Sequence, residues 1–306
     1  MTYFRILRHN IDNDKQNQKW FKALLSPVLE GLSKFAHLIN FEFFDDLIGI
    51  LHQLIKFGKL DDRQNLHSLQ TIFTILSGEG NALNIDPQKA YSNLYVILLN
   101  INLFSSNEDI KSLLSCVSCM ILKRKKQITL QRVLAFIKRL INVAQQTTHQ
   151  SSIAILNAVH HIIIMNKQSD ILLDVENCGV GSGIFLPEIE DPEYCNANAT
   201  LNWELINLNH HYNPVVRKFS SHLLNNMKTN ELPMDLVKKE PLELFEEIET
   251  QNNFDLSLSD FKKNYFLKNK VLFNLVNRES SLANEAHEVL MQMKTTNIAN
   301  IDNSNN

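Results

Sequence analysis

Positive charge is concentrated in one part of the sequence, where four consecutive cations are followed by three more. The seven residues are Lys123, Arg124, Lys125, Lys126, Arg132, Lys138 and Arg139. Arg132 and Arg139 are seven positions apart, so they share one face of a helix. The group could line a surface that meets phosphate, and its first four members could serve in nuclear import. An alternative of equal weight is that the four cations only complement the dipole at the end of an apolar helix.

A second stretch with chemical potential runs from Gly181 to Ala197 and reads GSGIFLPEIEDPEYCNA. Glycine permits unusual backbone angles and proline ends helices, so the stretch predicts a long loop. Its four carboxylates have no nucleophile or base at catalytic spacing, and we predict no catalytic residue. We expect the loop to pack back on the helices, because its large apolar side chains are costly to leave in water. We interpret it as facing a partner, through Phe185, Leu186, Pro187, Glu188, Asp191, Pro192, Glu193 and Tyr194.

Other residue types that often bind metals or cofactors stand here in unsuitable patterns. Cys116 and Cys119 form a CxxC pair inside an apolar helical pattern, and a structural zinc site needs a second pair of ligands. The neighbours His160 and His161 would point about 100° apart on a helix, which disfavours a shared ion. The glycines of residues 179–183 resemble a phosphate-binding loop, but carboxylates follow them. We therefore predict no metal and no cofactor.

Composition limits the classes of protein to which the chain can belong. It has 306 residues, a formal net charge of -3 and a hydrophobic fraction of 44%, so a sizeable core is expected. Dedicated nucleic-acid-binding proteins are usually clearly basic, so any such contact must be local. Four cysteines indicate reduced thiols rather than a disulfide scaffold. The sequence shows no signal peptide and no apolar run long enough to span a membrane.

The elements that must position these residues are predicted to be helices. Apolar residues recur at spacings of three and four, for example Phe44, Leu47, Leu51 and Leu54. Asp86 with Pro87 indicates a helix start, and the apolar pattern extends that helix to about Leu103. Because no segment alternates like a strand, we predict an all-α fold. Its architecture would be a HEAT-like or armadillo-like α-solenoid of degenerate helical pairs, with one long acidic loop.

The predicted organisation has three parts. Residues 1–250 form a helical-repeat region, and residues of about 66–224 within it correspond to the domain that the family resemblance described below implies. Residues 251–295 form C-terminal helices, and the asparagine-rich residues 296–306 form a disordered tail, because that tail has too little apolar surface to order.

Several ordered blocks resemble one family. These are the loop GSGIFLPEIEDPEYCNA, the segment SPVLEGLSKFAHLINFEFFDDL (Ser26 to Leu47), LKRKKQITLQRVLAFIKRL (Leu122 to Leu140), HYNPVVRKFSSHLL (His211 to Leu224) and PLELFE (Pro241 to Glu246). Together they resemble the C-terminal portion of the nucleolar complex protein 3 family, which carries a CCAAT-binding-factor-type domain. Members of that family have a long N-terminal region, and this chain begins at what resembles their middle.

The resemblance implies a non-enzymatic scaffold in the nucleus and nucleolus. It implies work in assembly and transport of large (60S) ribosomal subunit precursors, with a nucleolar complex protein 2-like partner and proteins of the pre-60S particle. It further implies contact with pre-rRNA and a chromatin role linked to replication initiation, and it implies no membrane. Two alternatives remain open, a nucleic-acid-binding module acting on DNA or chromatin and a general HEAT-repeat nuclear adaptor.

Overall fold

In a computed structural model of the chain, the structure describes residues 2–11, 18–56, 60–78, 87–124, 127–172, 183–227 and 232–250. These residues form twelve α-helices and no strand, which confirms the predicted all-α class. The helices are α1 (Thr2–Ile11), α2 (Gln18–Phe35), α3 (Phe44–Lys56), α4 (Asp62–Ser77), α5 (Gln88–Ile97), α6 (Asn107–Val117), α7 (Leu130–Gln146), α8 (His149–Met165), α9 (Trp203–Leu208), α10 (Pro214–Leu224), α11 (Met234–Lys238) and α12 (Pro241–Thr250). The predicted C-terminal helices and disordered tail lie outside the described residues.

Capping side chains explain where several helices begin. The hydroxyl groups of Thr129 and Thr148 accept hydrogen bonds from backbone amides in the first turns of α7 and α8. Ser106 and Asp109 cap α6 reciprocally, and the side chain of Asn213 accepts from the amide of Val215 at the start of α10. Such caps satisfy amides that have no partner within the helix, so they fix the first residue of each element.

The predicted start and end of α5 differ from the structure. Pro87 stands before the first helical residue rather than inside the helix, and Asp86 lies outside the described residues. The helix ends at Ile97, and turns follow it instead of the continuation to Leu103 that the apolar pattern predicted. Leu103 and Phe104 are exposed, so their apolar character does not reflect a buried helix face.

Even-numbered helices form the row that a solenoid predicts. Helix α2 packs against α4, α4 against α6, α6 against α8, and α8 against α10. The odd-numbered helices α3, α5, α7 and α9 pack beside this row, and α7 also contacts α9. This arrangement confirms the expectation of stacked helical pairs.

Two features close the later part of this row. Helix α6 continues through one π-helical turn, Ser118–Leu122, in which the amide of Lys123 donates to the carbonyl of Ser118 at 3.1 Å. Helix α12 returns to α8 and α6 and buries Leu244, Phe245 and Ile248 against them. The block PLELFE therefore covers the chain's own helices.

Candidate interaction surface

Helix α7 carries three of the predicted surface cations, and the structure buries all of them. The exposed fractions of Arg132, Lys138 and Arg139 are 5%, 3% and 6%. The prediction that they line an exposed phosphate-binding face is therefore wrong. The physical reason is that the segment of residues 183–196, which we call the acidic loop, and helix α9 cover this part of α7.

Arg132 joins α7 to the acidic loop through an ion pair. Its Nη2 atom lies 2.8 Å from Oε2 of Glu193, and its guanidinium carbon lies 5.0 Å from the centre of the Tyr91 ring on α5. Glu193 was predicted to face a partner, but its carboxylate is only partly exposed and is committed to this pair. The pair therefore ties the loop to two helices at once.

Arg139 joins the same loop to α5. It donates from Nη1 to the carbonyl of Tyr95 at 2.7 Å and from Nη2 to the carbonyl of Pro187, while its guanidinium carbon lies 3.4 Å from the centre of the Tyr95 ring. Burial lowers the pKa of Arg139 and raises the pKa of Tyr95. A guanidinium in this dry position needs several carbonyl partners, and the loop supplies one of them.

Lys138 joins α7 to α9. Its Nζ atom lies 2.7 Å from Oε2 of Glu204 and donates to the carbonyl of Leu201 at 2.5 Å. The same atom lies 5.8 Å from the centre of the Phe185 ring, so it also borders the acidic loop. Lys138 and Glu204 form a buried, fully paired charge couple, and sequence reasoning missed the role of Glu204.

Hydrogen bonds within the acidic loop hold it in one shape. The amide of Leu186 donates to the carbonyl of Cys195 at 2.9 Å, which joins the two arms. Asp191 accepts from the amide of Glu193 at 3.0 Å and from the side chain of Gln88 at 2.8 Å. These bonds confirm the prediction that the loop packs back on the helices.

Backbone geometry closes the base of the acidic loop. Gly183 has a φ of +121°, and a Cβ atom there would lie 3.0 Å from Nδ2 of Asn196, which itself has a φ of 52°. Side chains rarely adopt the first of these conformations, so glycine is required at position 183. The backbone conformations of Gly183 and Asn196, rather than the packing of apolar groups, therefore define the base of the loop.

Most large apolar side chains of the loop are exposed, so their burial is not the reason that the loop packs on the helices. Ile184 and Tyr194 are 78% and 63% exposed, and Leu186 is also exposed, whereas Phe185 is half-buried and Pro192 is buried. Polar and backbone contacts, not burial of these residues, hold the loop in place. Among the predicted partner-facing residues, Leu186, Pro187, Glu188 and Tyr194 are exposed, and Asp191 and Glu193 are used internally.

Helix α9 adds apolar residues that sequence reasoning did not single out. Trp203 is 52% exposed and Ile206 is 53% exposed, while Leu205 and Leu208 on the other face are buried. Leu201, just before the helix, is also exposed. Apolar residues occur on both faces of this short helix, so its sequence pattern could not indicate which face is outward.

The four-residue basic cluster is divided by the structure. Lys123 is exposed, Lys125 and Lys126 lie outside the described residues, and Arg124 is 7% exposed. Among the residues that the structure describes, the Nε and Nη1 atoms of Arg124 have no hydrogen-bond partner. Arg124 therefore does not belong to the predicted exposed patch, whereas the exposed Lys123 is consistent with it.

The cysteine and histidine candidates occupy the core. Cys116 and Cys119 are buried free thiols, and burial raises the pKa of Cys116 well above its ordinary value. His160 is buried beside His161 and His222, and burial lowers its pKa to about 4. Within the part of the chain that the structure describes, no group of three or more histidine, cysteine or acidic residues is arranged to hold a metal. In the same part, no helix is long and apolar enough to cross a membrane.

Residues 65–220 match the CBF/Mak21 family. The chain is 47% identical over 249 residues to the nucleolar complex protein 3 homolog of Mus musculus, covering 80% of this chain and 30% of that relative. It is 46% identical over 249 residues to the homolog of Homo sapiens, with the same shares covered. It is 36% identical over 252 residues to nucleolar complex protein 3 of Drosophila melanogaster, covering 81% of this chain and 29% of the relative. The chain thus spans about 30% of the length of the curated relatives it matches.

These similarities bear on location as well as descent. The relatives share the name of a nucleolar complex, and at this identity they indicate a nuclear, nucleolar protein, which confirms the predicted localisation. The matched residues, 65–220, include most of α4, all of α5 to α9, the acidic loop and the first seven residues of α10. The match covers just over half of the residues of the chain, so the chain belongs to the CBF/Mak21 family.

Proposed function

We propose that the chain is a non-enzymatic nucleolar scaffold in the biogenesis of the large (60S) ribosomal subunit. The observation that carries this proposal is the match of residues 65–220 to the CBF/Mak21 family together with 47% identity to a nucleolar complex protein 3 homolog. A row of stacked helices supports it, because such rows expose extended surfaces for several partners. The chain would act in the assembly and intranuclear transport of pre-ribosomes.

The proposed partners are those that the family resemblance implies. They are a nucleolar complex protein 2-like protein and proteins of the pre-60S particle. Contact with pre-rRNA would use exposed cations such as Lys123. A role in chromatin binding and replication initiation is proposed as an additional activity of the same scaffold.

Depletion followed by complementation tests the function. Cells depleted of the protein should accumulate precursors of the large-subunit rRNA and lose free 60S subunits relative to 40S subunits. The tagged protein should sediment with pre-60S particles in a sucrose gradient. A loss confined to 40S subunits, or unchanged pre-rRNA after depletion, would contradict the proposal.

A DNA-binding module is the main competing function, and burial of cations on α7 weakens its support. Arg132, Lys138 and Arg139 are engaged by Glu193, Glu204 and backbone carbonyls, so they are not free for phosphate. Binding of the purified chain to rRNA fragments and to duplex DNA across a salt series separates the two cases. Tight, sequence-selective DNA binding that persists at high salt would favour the DNA module. Affinity purification with identification of both proteins and RNAs separates a general nuclear adaptor from a pre-60S scaffold.

A further inference from the structure

Six large apolar side chains face solvent on the acidic loop and on or just before α9. We define the loop–α9 surface by its exposed apolar residues, which are Ile184, Leu186, Tyr194, Leu201, Trp203 and Ile206. Scattered exposed apolar residues are ordinary, but a contiguous group of this kind marks an interaction site. Tryptophan and tyrosine are also enriched among the residues that dominate binding energy at protein interfaces.

Contacts of Lys138 show that the two halves of this surface are neighbours. Its Nζ atom donates to the carbonyl of Leu201, two residues before Trp203. The same atom lies 5.8 Å from the centre of the Phe185 ring, and Phe185 stands between Ile184 and Leu186. The exposed residues of the loop and of α9 therefore flank one buried lysine and form a single surface.

The loop–α9 surface is held in shape before anything binds to it. The ion pair between Arg132 and Glu193 and the hydrogen bond between Leu186 and Cys195 hold the loop. The pair between Lys138 and Glu204 holds the start of α9. A surface that is already ordered loses little conformational entropy on binding, so its apolar area contributes more fully to affinity.

Charge distinguishes among the classes of partner. Glu188 and Glu190 are exposed on the loop, whereas the cations beneath it are buried and paired. The surface thus presents carboxylates next to apolar residues. This combination repels phosphate and is complementary to a basic segment.

We propose that the loop–α9 surface binds a basic amphipathic helix of a partner protein. Apolar residues at spacings of three and four on that helix contact Trp203, Ile206 and the apolar residues of the loop. Lysine or arginine residues beside its apolar face pair with Glu188 and Glu190. This inference rests on the proposed scaffold function and specifies the chemistry of one of its partners.

Site-specific photocrosslinking tests the proposal directly. The full chain is expressed in its native cells with p-benzoylphenylalanine in place of Ile206, and the crosslinked peptide is identified by mass spectrometry. The matched control carries the same group in place of Phe104, which is 92% exposed on the turn after α5 and is not part of the loop–α9 surface. We expect a crosslink specific to position 206, to a peptide with net positive charge and apolar residues at helical spacing.

The mapped peptide is then synthesised, and its binding to the purified chain is measured by fluorescence anisotropy. Trp203→Ser should weaken binding about 30-fold, the size expected for truncation of a central aromatic residue, and Phe104→Ser should leave it unchanged. The double variant Glu188→Lys/Glu190→Lys should weaken binding and remove most of its salt dependence. Glu243→Lys/Glu246→Lys changes two exposed carboxylates of α12 by the same charge and should have no effect.

Four crosslinking results would overturn the proposal. Three are a crosslink from position 206 to nucleic acid, to an acidic peptide or to a second copy of this chain. The fourth is equal crosslinking at positions 206 and 104. Unchanged affinity of the Trp203→Ser variant for the mapped peptide also overturns it. The depletion experiment measures pre-rRNA and ribosomal subunits, whereas crosslinking measures what this surface binds. Failure of the proposed scaffold function and failure of the proposed helix binding can therefore be told apart.

Discussion

Replacing Lys138 by methionine tests whether buried cations of α7 are needed for folding. Lys138 and Glu204 have side chains that are each 3% exposed and whose charged atoms lie 2.7 Å apart. Methionine keeps most of the length of lysine but leaves the carboxylate of Glu204 buried without a cation. It also removes the shorter of the two hydrogen bonds that the carbonyl of Leu201 accepts, because the other, from the hydroxyl of Thr200, is 3.4 Å long. Removing one partner of a buried pair costs about 3–5 kcal/mol, so we expect the free energy of unfolding to fall by that amount.

Urea unfolding of the full chain, followed by circular dichroism at 222 nm, measures this loss. The matched control is Lys34→Met, which breaks an exposed pair between Lys34 and Glu30 of the same length, 2.7 Å. An exposed pair four residues apart on a helix is worth only about 0.3–0.5 kcal/mol. The double variant Lys138→Met/Glu204→Leu removes both buried charges and should regain most of the loss. About 1–3 kcal/mol should remain because the carbonyl of Leu201 keeps only the long hydrogen bond, 3.4 Å, from the hydroxyl of Thr200.

Two results would refute the reasoning. If Lys138→Met costs no more than Lys34→Met, the cation is not buried and paired as the structure shows. If the double variant is no more stable than Lys138→Met alone, the loss does not come from an uncompensated carboxylate. A changed denaturant slope in any variant would indicate an altered denatured state, and the comparison would then use the midpoint and slope together.

Five further substitutions test other parts of the structure. Burial lowers the pKa of His160 to about 4 in the folded protein, below its unfolded value of 6.5. Its contribution to the free energy of unfolding is therefore fully present above pH 6.5 and is lost as the pH falls towards 4. Stability in urea should therefore fall by about 2 kcal/mol more between pH 7 and pH 5 in the wild type than in His160→Gln. Gly183→Ala should cost about 1–3 kcal/mol locally and speed amide hydrogen exchange at Leu186. Gly49→Ala, where an added Cβ meets nothing within 4 Å, should stabilise α3 by about 0.5–1 kcal/mol. Lys123→Gln should leave the melting temperature unchanged. Arg124→Met should maintain or raise the melting temperature, because the Nε and Nη1 atoms of the buried guanidinium lack hydrogen-bond partners among the described residues. A clearly lower melting temperature of the Arg124→Met variant would contradict this.

Local signals were sufficient for much of the helical architecture. Apolar spacing predicted α3, in which Phe44, Leu47, Leu51 and Leu54 are buried. This prediction succeeded because helix periodicity acts within one turn of the chain. The end of α5 was mispredicted because Leu99 and Leu103 extend the apolar pattern, yet both are exposed on the turn.

The candidate site was harder to predict, because tertiary contacts decide which of its charges are free. The spacing of Arg132 and Arg139 correctly indicated a shared side of α7, but could not show that a loop about fifty residues later covers it. A usable signal was present, since the acidic loop and helix α7 carry opposite charges in the sequence. Pairing them with each other, rather than assigning each to a separate partner, would have predicted the ion pair of Arg132 with Glu193.

That pairing also determines what the loop–α9 surface presents to other molecules. The carboxylates of Glu193 and Glu204, which pair with Arg132 and Lys138, are turned towards α7. With the inner contacts supplied by charges and backbone carbonyls, Ile184, Leu186 and Tyr194 are not needed for holding the loop and face solvent. Charged residues of the chain thus stabilise its interior, and apolar residues occupy its surface, at the same site. Leaving this much apolar area in water is unfavourable, and its burial by a partner would recover about 25 cal/mol for each Å² covered. A loop maintained in this way is more consistent with a protein-binding surface than with an electrostatic one for nucleic acid.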